Sequence, residues 1–222
     1  MSLHAYLNDP VLKRNLLVQI RQHEKQDQIV KGTYGEMNGQ WRGCAIGCAL
    51  HSLNIVTQRG GPTFSGETGA HERFPTELGI PIELAYTIDH LFENLPLKES
   101  LTFPRRVATA IPAGADLSSV MSALLHWTIL DPAYGWIVYA KTADHQAAMH
   151  RFAGLVADDW AGRTVSDATW REINEQLDTI PKWAGAWAWA RARARAWAWA
   201  EIMADKLEKL LKEASKEIKG DE

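Results

Sequence analysis

Cysteine is scarce: the 222 residues hold two, Cys44 and Cys48. A bridge between residues four apart on one helix would strain ordinary disulfide geometry, so no disulfide framework is expected and a reducing cytoplasm fits. Long apolar runs are also missing. No window approaches about eighteen uncharged apolar residues, and the start, Met1 to Leu7, lacks a basic stretch followed by an apolar core. Neither export nor membrane spanning is expected.

A basic excess is absent too. Lys and Arg number 24 against 27 Asp and Glu, a net charge of −3, which argues against general attraction to nucleic acid or anionic membranes. The chain carries no GxSxG, HExxH, P-loop or dinucleotide fingerprint, so no catalytic residue, cofactor or metal is assigned from motifs.

What is present is an ordinary globular composition, 46% hydrophobic and 23% charged, in a chain long enough to fold without a disulfide or metal. Apolar residues recur at helical spacing from Asp9 to about Glu24, with Pro10 suited to the first turn after an Asp9 cap. Small residues suit Cys44 to His51 to a closely packed helix, and apolar residues at helical spacing mark Ile82 to Leu95, Phe103 to Ile111, Asp116 to Leu130 and Thr142 to Trp160. Ser166 caps a further helix, which Pro181 breaks or kinks. Lys31 to Gly43 reads as a loop or short hairpin, and Arg59 to Gly69 as a glycine-rich loop. Tyr134 to Tyr139, aromatic and β-branched after Asp131-Pro132, is the best candidate for a short strand. The expected fold is all-α with at most a short hairpin. A helical globular domain spans 1–165, and 166–222 forms a carboxy-terminal helical segment that packs on it or on a partner subunit.

That segment contains the most regular stretch of the chain. Residues 186–200 read AWAWARARARAWAWA, a palindrome about Arg193. Strict alternation is the strand period, but alanine is the best helix former and a helical pattern continues to Ile218, so a long helix from Trp183, about 50 Å, is expected. On it Trp183, Trp187, Arg191, Arg195 and Trp199 form one stripe and Trp189, Arg193 and Trp197 another. Between Asp178 and Glu201 there is no acidic residue, and five of the ten tryptophans lie in that interval. Guanidinium groups among aromatics need a counter-charge. The partners are carboxylates of this chain or of a symmetry-related subunit in a homo-oligomer, or else a small anionic ring-bearing molecule. Arginine forks onto phosphate or carboxylate, and indoles stack on a base. Capture of a nucleotide-like ligand is the functional expectation, with Trp187, Trp189, Arg191, Arg193, Arg195, Trp197 and Trp199 as its site and nucleic acid itself disfavoured by the charge balance. The alternatives are a structural self-association protein and a nucleotide-processing enzyme whose catalytic group the sequence does not identify.

Cys44, Cys48 and His51, with His71 as a fourth ligand, have a spacing that zinc tolerates. Their Gly, Ala and Leu neighbours favour packing as small core residues. Arg59, Arg105 and Arg106 are further candidates for phosphate contacts. His145 and His150 are poorly aligned on one helical face.

Gly43-Cys44-Ala45-Ile46-Gly47-Cys48-Ala49-Leu50-His51, Glu77-Leu78-Gly79-Ile80-Pro81, Phe103-Pro104, Ala110-Ile111-Pro112-Ala113-Gly114-Ala115-Asp116-Leu117 and the alanine-rich terminal helix together resemble a group of uncharacterised phage and bacterial proteins. The resemblance covers most of the chain from Gly43 onward. It implies phage or prophage origin, hence the host cytosol, and carries no catalytic residue across; taken with the arginine cluster between tryptophans, it leads to the expectation of a use such as sequestering a host immune signal. The tail departs from the looser alanine runs of that group in its strict alternation of alanine with Trp or Arg.

Overall fold

The computed structural model describes residues 3–37, 40–58, 69–180 and 200–214. The fold is all-α with one short hairpin, as expected. It divides into two compact units, one of Met1–Ser118 with Ala196–Glu222, the other of Ser119–Arg195. Among the described residues no helix is long and apolar enough to cross a membrane.

In the first unit, α1 (Pro10–Lys25) starts where Asp9 accepts hydrogen bonds from the amides of Val11 and Leu12, and Pro10, which has no amide hydrogen to satisfy, takes the first turn. The hairpin is minimal: β1 (Glu36–Met37) pairs antiparallel with β2 (Trp41–Arg42). Next, α2 (Ala45–Thr57) is the central helix, buried at Ala45, Ile46, Gly47, Cys48, Leu50, Ser52 and Leu53 and packed on α1. Its small residues let backbone approach closely. A β-carbon at Gly47 would stand 1.6 Å from the Tyr34 carbonyl oxygen. The segment before α2 is thereby pressed against it as a strap, tied by Val30 N–H to Gly43 O and Gly43 N–H to Gln28 O, both 2.9 Å, and by Cys44 N–H to Thr33 O at 2.7 Å.

A short helix that the sequence pattern does not predict, α3 (Arg73–Leu78), leads into α4 (Ile82–Asn94). In α4, Leu84, Ala85, Ile88, Leu91 and Phe92 are buried. Asp89 and Glu93, one turn apart, lie on its flank, the spacing that puts two side chains side by side. Both α2 and α4 pack on α5 (Leu97–Ala110). The apolar spacing in the sequence places the start of α5 at Phe103. The structure starts it six residues earlier: Pro96 takes the cap position, and Pro104 sits inside, buried with Phe103, Val107 and Ala110. Packing of that face outweighs the amide bond lost to proline.

Residues 200–213 are helical (α9), burying Ala200, Ala204, Leu207 and Leu211. Arg106 of α5 meets Asp205 and Glu208 of α9, each at 2.6 Å.

The second unit holds α6 (Ser118–Leu130), α7 (Ala143–Trp160) and α8 (Asp167–Asp178). Its core is Ile129, Ala140, Met149 and Ala153, with Phe152, Val156 and Leu177 against them. The strand expected over Tyr134 to Tyr139 is not formed; Trp136–Tyr139 is a 3-10 turn. Asp131 is the reason. Its carboxylate accepts the amides of Ala133 and Tyr134, and its carbonyl accepts that of Gly135. The segment is wound back onto the end of α6 before it can extend, and a β-carbon at Gly135 would meet the Asp131 amide nitrogen at 2.4 Å.

Candidate functional site

The seven residues singled out by sequence, Trp187, Trp189, Arg191, Arg193, Arg195, Trp197 and Trp199, lie outside the described residues, as does Arg59. Arg105 and Arg106 are described, and carboxylates of this chain answer both: Arg105 Nε lies 2.6 Å from Glu24, and Arg106 reaches Glu99, Asp205 and Glu208. The polar site that the described residues do form is centred on Asp89.

Asp89 stands on α4 facing the strap. Its Oδ2 accepts a hydrogen bond from the Tyr34 hydroxyl at 3.2 Å and lies 3.1 Å from His71 Nε2. Its Oδ1 is buried with no hydrogen-bond partner. His71 is itself buried, at 5% exposure. Half-exposed Tyr86 stacks on its ring, centroids 4.0 Å apart, and Tyr34 meets it edge-on at 5.6 Å. One turn along α4, the Glu93 carboxylate accepts the Gly32 amide at 3.0 Å, while Lys31 Nζ donates to the main-chain carbonyls of Glu93 and Leu95. Cys44, which caps α2, completes the group: its thiol and one carboxylate oxygen each of Asp89 and Glu93 lie within 4.8 Å of one another.

Cysteine, histidine and aspartate together are the residue set of thiol hydrolases, in which histidine sits between the other two and draws off the thiol proton. The order differs here, since Asp89 is the hub that the others address. Burial pushes the Cys44 thiol up to about 12, and the Asp89 charge adds to this against the opposing pull of the Gly47 and Ile46 amides. Burial and then Asp89 likewise raise the Tyr34 hydroxyl to about 12. Both groups are protonated at neutral pH, so Cys44 is not a standing nucleophile.

Cys48 and His51, weighed with Cys44 and His71 as zinc ligands, are used elsewhere. Cys48 is fully buried, as core packing predicts, and burial raises its thiol. The His51 ring stacks on Trp41 at 4.2 Å and 7°, with His23 tilted against both. Burial, then the nearby His23, pushes His51 down to about 4, and burial lowers His23, whose Nδ1 lies 2.6 Å from Gln28 Oε1. This is a neutral aromatic stack in the core.

Sequence reasoning missed Tyr34, Asp89 and Glu93. Two carboxylates four apart on a helix ordinarily read as a solvated face, and Tyr34 sits in an irregular loop, so neither carries a distinguishing pattern. Compared with family models, with curated proteins and with solved structures, the chain matches none.

Proposed function

We propose that this chain is a binding protein that captures a small anionic, nucleotide-like molecule, with phage-type sequestration of a host signal as its use. One observation carries the reading. Arg191, Arg193 and Arg195 stand between Trp187, Trp189, Trp197 and Trp199, with no acidic residue from Asp178 to Glu201. Guanidinium forks suit phosphate oxygens and indoles suit a base.

Two features of the described residues support it. Carboxylates of this chain are already engaged by other arginines: Glu77 by Arg73, Glu24 by Arg105, Glu172 by Arg151 and Asp158 by Arg163, while Glu99, Asp205 and Glu208 share Arg106. A carboxylate held on one guanidinium is poorly placed to neutralise another. In addition, the neutral, enclosed Cys44 thiol gives the Asp89 cluster no ready nucleophile, which favours capture over chemical conversion.

A thermal-shift panel of nucleotides tests the proposal, because a ligand at ~100 times its dissociation constant adds about 2.7 kcal/mol to stability. Arg193→Glu should remove the shift, and the bound molecule should be recovered unaltered. No shift with any nucleotide overturns the reading. Light scattering of the full chain checks the competing use of the segment as a homo-oligomer interface. Arg193→Glu converting an oligomer to monomers, with no nucleotide bound by either form, would favour that use.

A further inference from the structure

We propose that Cys44, Asp89 and Glu93 form a binding site for one divalent transition-metal ion of the zinc type, with His71 and Tyr34 as the groups that orient Asp89. The donor atoms of the three residues already lie within 4.8 Å of one another. In a tetrahedral zinc shell, with bonds of about 2.0–2.3 Å, neighbouring ligand atoms stand roughly 3.3–3.8 Å apart. Closing onto the ion needs side-chain movements of an ångström or so and no rearrangement of α2 or α4.

Three independent features point to a cation. First, Asp89 Oδ1 is buried with no nitrogen or oxygen partner although Oδ2 has two, and the Cys44 thiol stands against this carboxylate. An orphaned buried carboxylate oxygen is costly, and a metal bond would satisfy it. Second, the site gathers two carboxylates and a thiol, a donor set that offers a cation both negative charge and a soft ligand. A thiol that coordinates zinc gives up its proton and binds as thiolate. Lys31 is the neighbouring cation, and its ammonium is turned to the carbonyls of Glu93 and Leu95. Third, the surroundings have the form of a metal's outer sphere. His71 and Tyr34 hold the second oxygen of Asp89, and the Gly32 amide holds Glu93. Ligating carboxylates are ordinarily fixed in this way. Cys44 is enclosed, whereas the Asp89 side chain is 16% exposed and offers a way in.

The sulfur donor selects the ion. Thiolate ligands favour zinc and its neighbours, while magnesium and calcium require oxygen shells. Cobalt(II) is therefore a suitable probe, since a Co–thiolate bond gives a charge-transfer band in the near ultraviolet that carboxylates do not.

The experiment uses the full-length chain, stripped with chelator and titrated separately with Zn²⁺, Co²⁺ and Mg²⁺. The expected result is uptake of one Zn²⁺ or Co²⁺ per chain, a thiolate band with cobalt, and no saturable Mg²⁺ binding. Because one thiol proton is released, affinity should rise about tenfold per pH unit near neutrality. Cys44→Ala should abolish the band and Cys48→Ala should retain it. Asp89→Asn should weaken binding by at least tenfold, and His71→Phe, which removes an orienting group, should weaken it ~10–100-fold while leaving the band in place. A folded wild-type chain that takes up no zinc, or shows no thiolate band with cobalt, overturns the proposal without recourse to any variant. So does a band that survives Cys44→Ala.

Discussion

Gly47 is where α2 and the strap leave no room, and the site depends on that closeness. A β-carbon there would stand 1.6 Å from the Tyr34 oxygen and 2.6 Å from its carbonyl carbon. Carbon and oxygen settle no closer than roughly 3.3 Å, so Gly47→Ala forces the strap back by about 1.7 Å. Overpacking of this kind costs about 1–3 kcal/mol, occasionally more, and strains the Tyr34–Asp89 and Thr33–Cys44 hydrogen bonds as well. Alanine returns ~1 kcal/mol through helix propensity. The expected net loss is about 2 kcal/mol, which for a chain of this size lowers Tm by roughly 4–8 °C. The control is the same substitution at Gly154. It lies exposed inside α7, and a β-carbon there meets nothing within 4 Å. Gly154→Ala should therefore be neutral or stabilising by up to ~1 kcal/mol. Thermal unfolding by circular dichroism, with urea titration alongside, measures both. A Gly47→Ala protein that melts at or above the wild-type temperature would refute the close-approach argument, as would equal shifts in the two variants.

Two further predictions concern charge. His51 is held to about 4 in the fold, principally by burial, against about 6.5 in an unfolded chain. Between those values the unfolded state binds the extra proton, so the contribution of this ring is complete above pH 6.5 and is lost as pH falls toward 4. Because the ring is partly exposed, the total is discounted to about 1–2 kcal/mol. Urea midpoints at pH 7 and pH 4.5 should diverge more for wild type than for His51→Phe, which keeps a ring against Trp41; equal acid losses would count against the assignment. The second concerns Arg106, which lies 2.6 Å from both Asp205 and Glu208, the Glu208 side chain being only 13% exposed. Arg106→Gln leaves a near-buried carboxylate without its guanidinium, a cost of about 2–3 kcal/mol. Hydrogen exchange over residues 200–213 should then quicken at least tenfold. Unchanged exchange would mean that Ala204, Leu207 and Leu211 hold α9 by themselves.

Helices were legible where the signal was local. Asp9-Pro10 and Ser166-Asp167 start α1 and α8 as their side chains predict, because a cap and the amides it serves lie within three residues of each other. The hairpin in the loop after Lys31 was legible as turn composition. The errors arose where a distant contact or a competing local bond decided the outcome. Apolar spacing marks α5 only from Phe103, yet the helix begins at Leu97 and runs on both sides of the buried Pro104. Tyr134 to Tyr139 has strand composition, but strand propensity acts only when a neighbouring strand is available, and the Asp131 side chain captures the amides first.

The Asp89 cluster was not legible, and its chemistry explains why. Its members come from the strap, the cap of α2, the turn before α3 and the flank of α4, at sequence separations from 18 to 55 for the two Asp89 contacts alone. No short spacing records such a meeting. What the sequence does show is the means of assembly: glycine at positions 43 and 47, where Cβ atoms would collide with Trp41 or Tyr34. Read by themselves those glycines lower helix propensity and offer no function. Once the strap is known to press there, they explain how the Tyr34 hydroxyl and the Cys44 thiol are brought to one carboxylate. The same glycines bring Tyr34 and Cys44 up to a helix flank that already carries the Asp89 and Glu93 carboxylates one turn apart, and a cation bound there would offset the cost of enclosing them. The negative charge of Asp89 and Glu93 beside the Cys44 thiol and the excess of positive charge at Arg191, Arg193 and Arg195 thus raise the same question at opposite polarity. Each is answered by identifying the counter-charge, a metal ion in the first case and an anionic small molecule in the second, and the two answers can be tested independently.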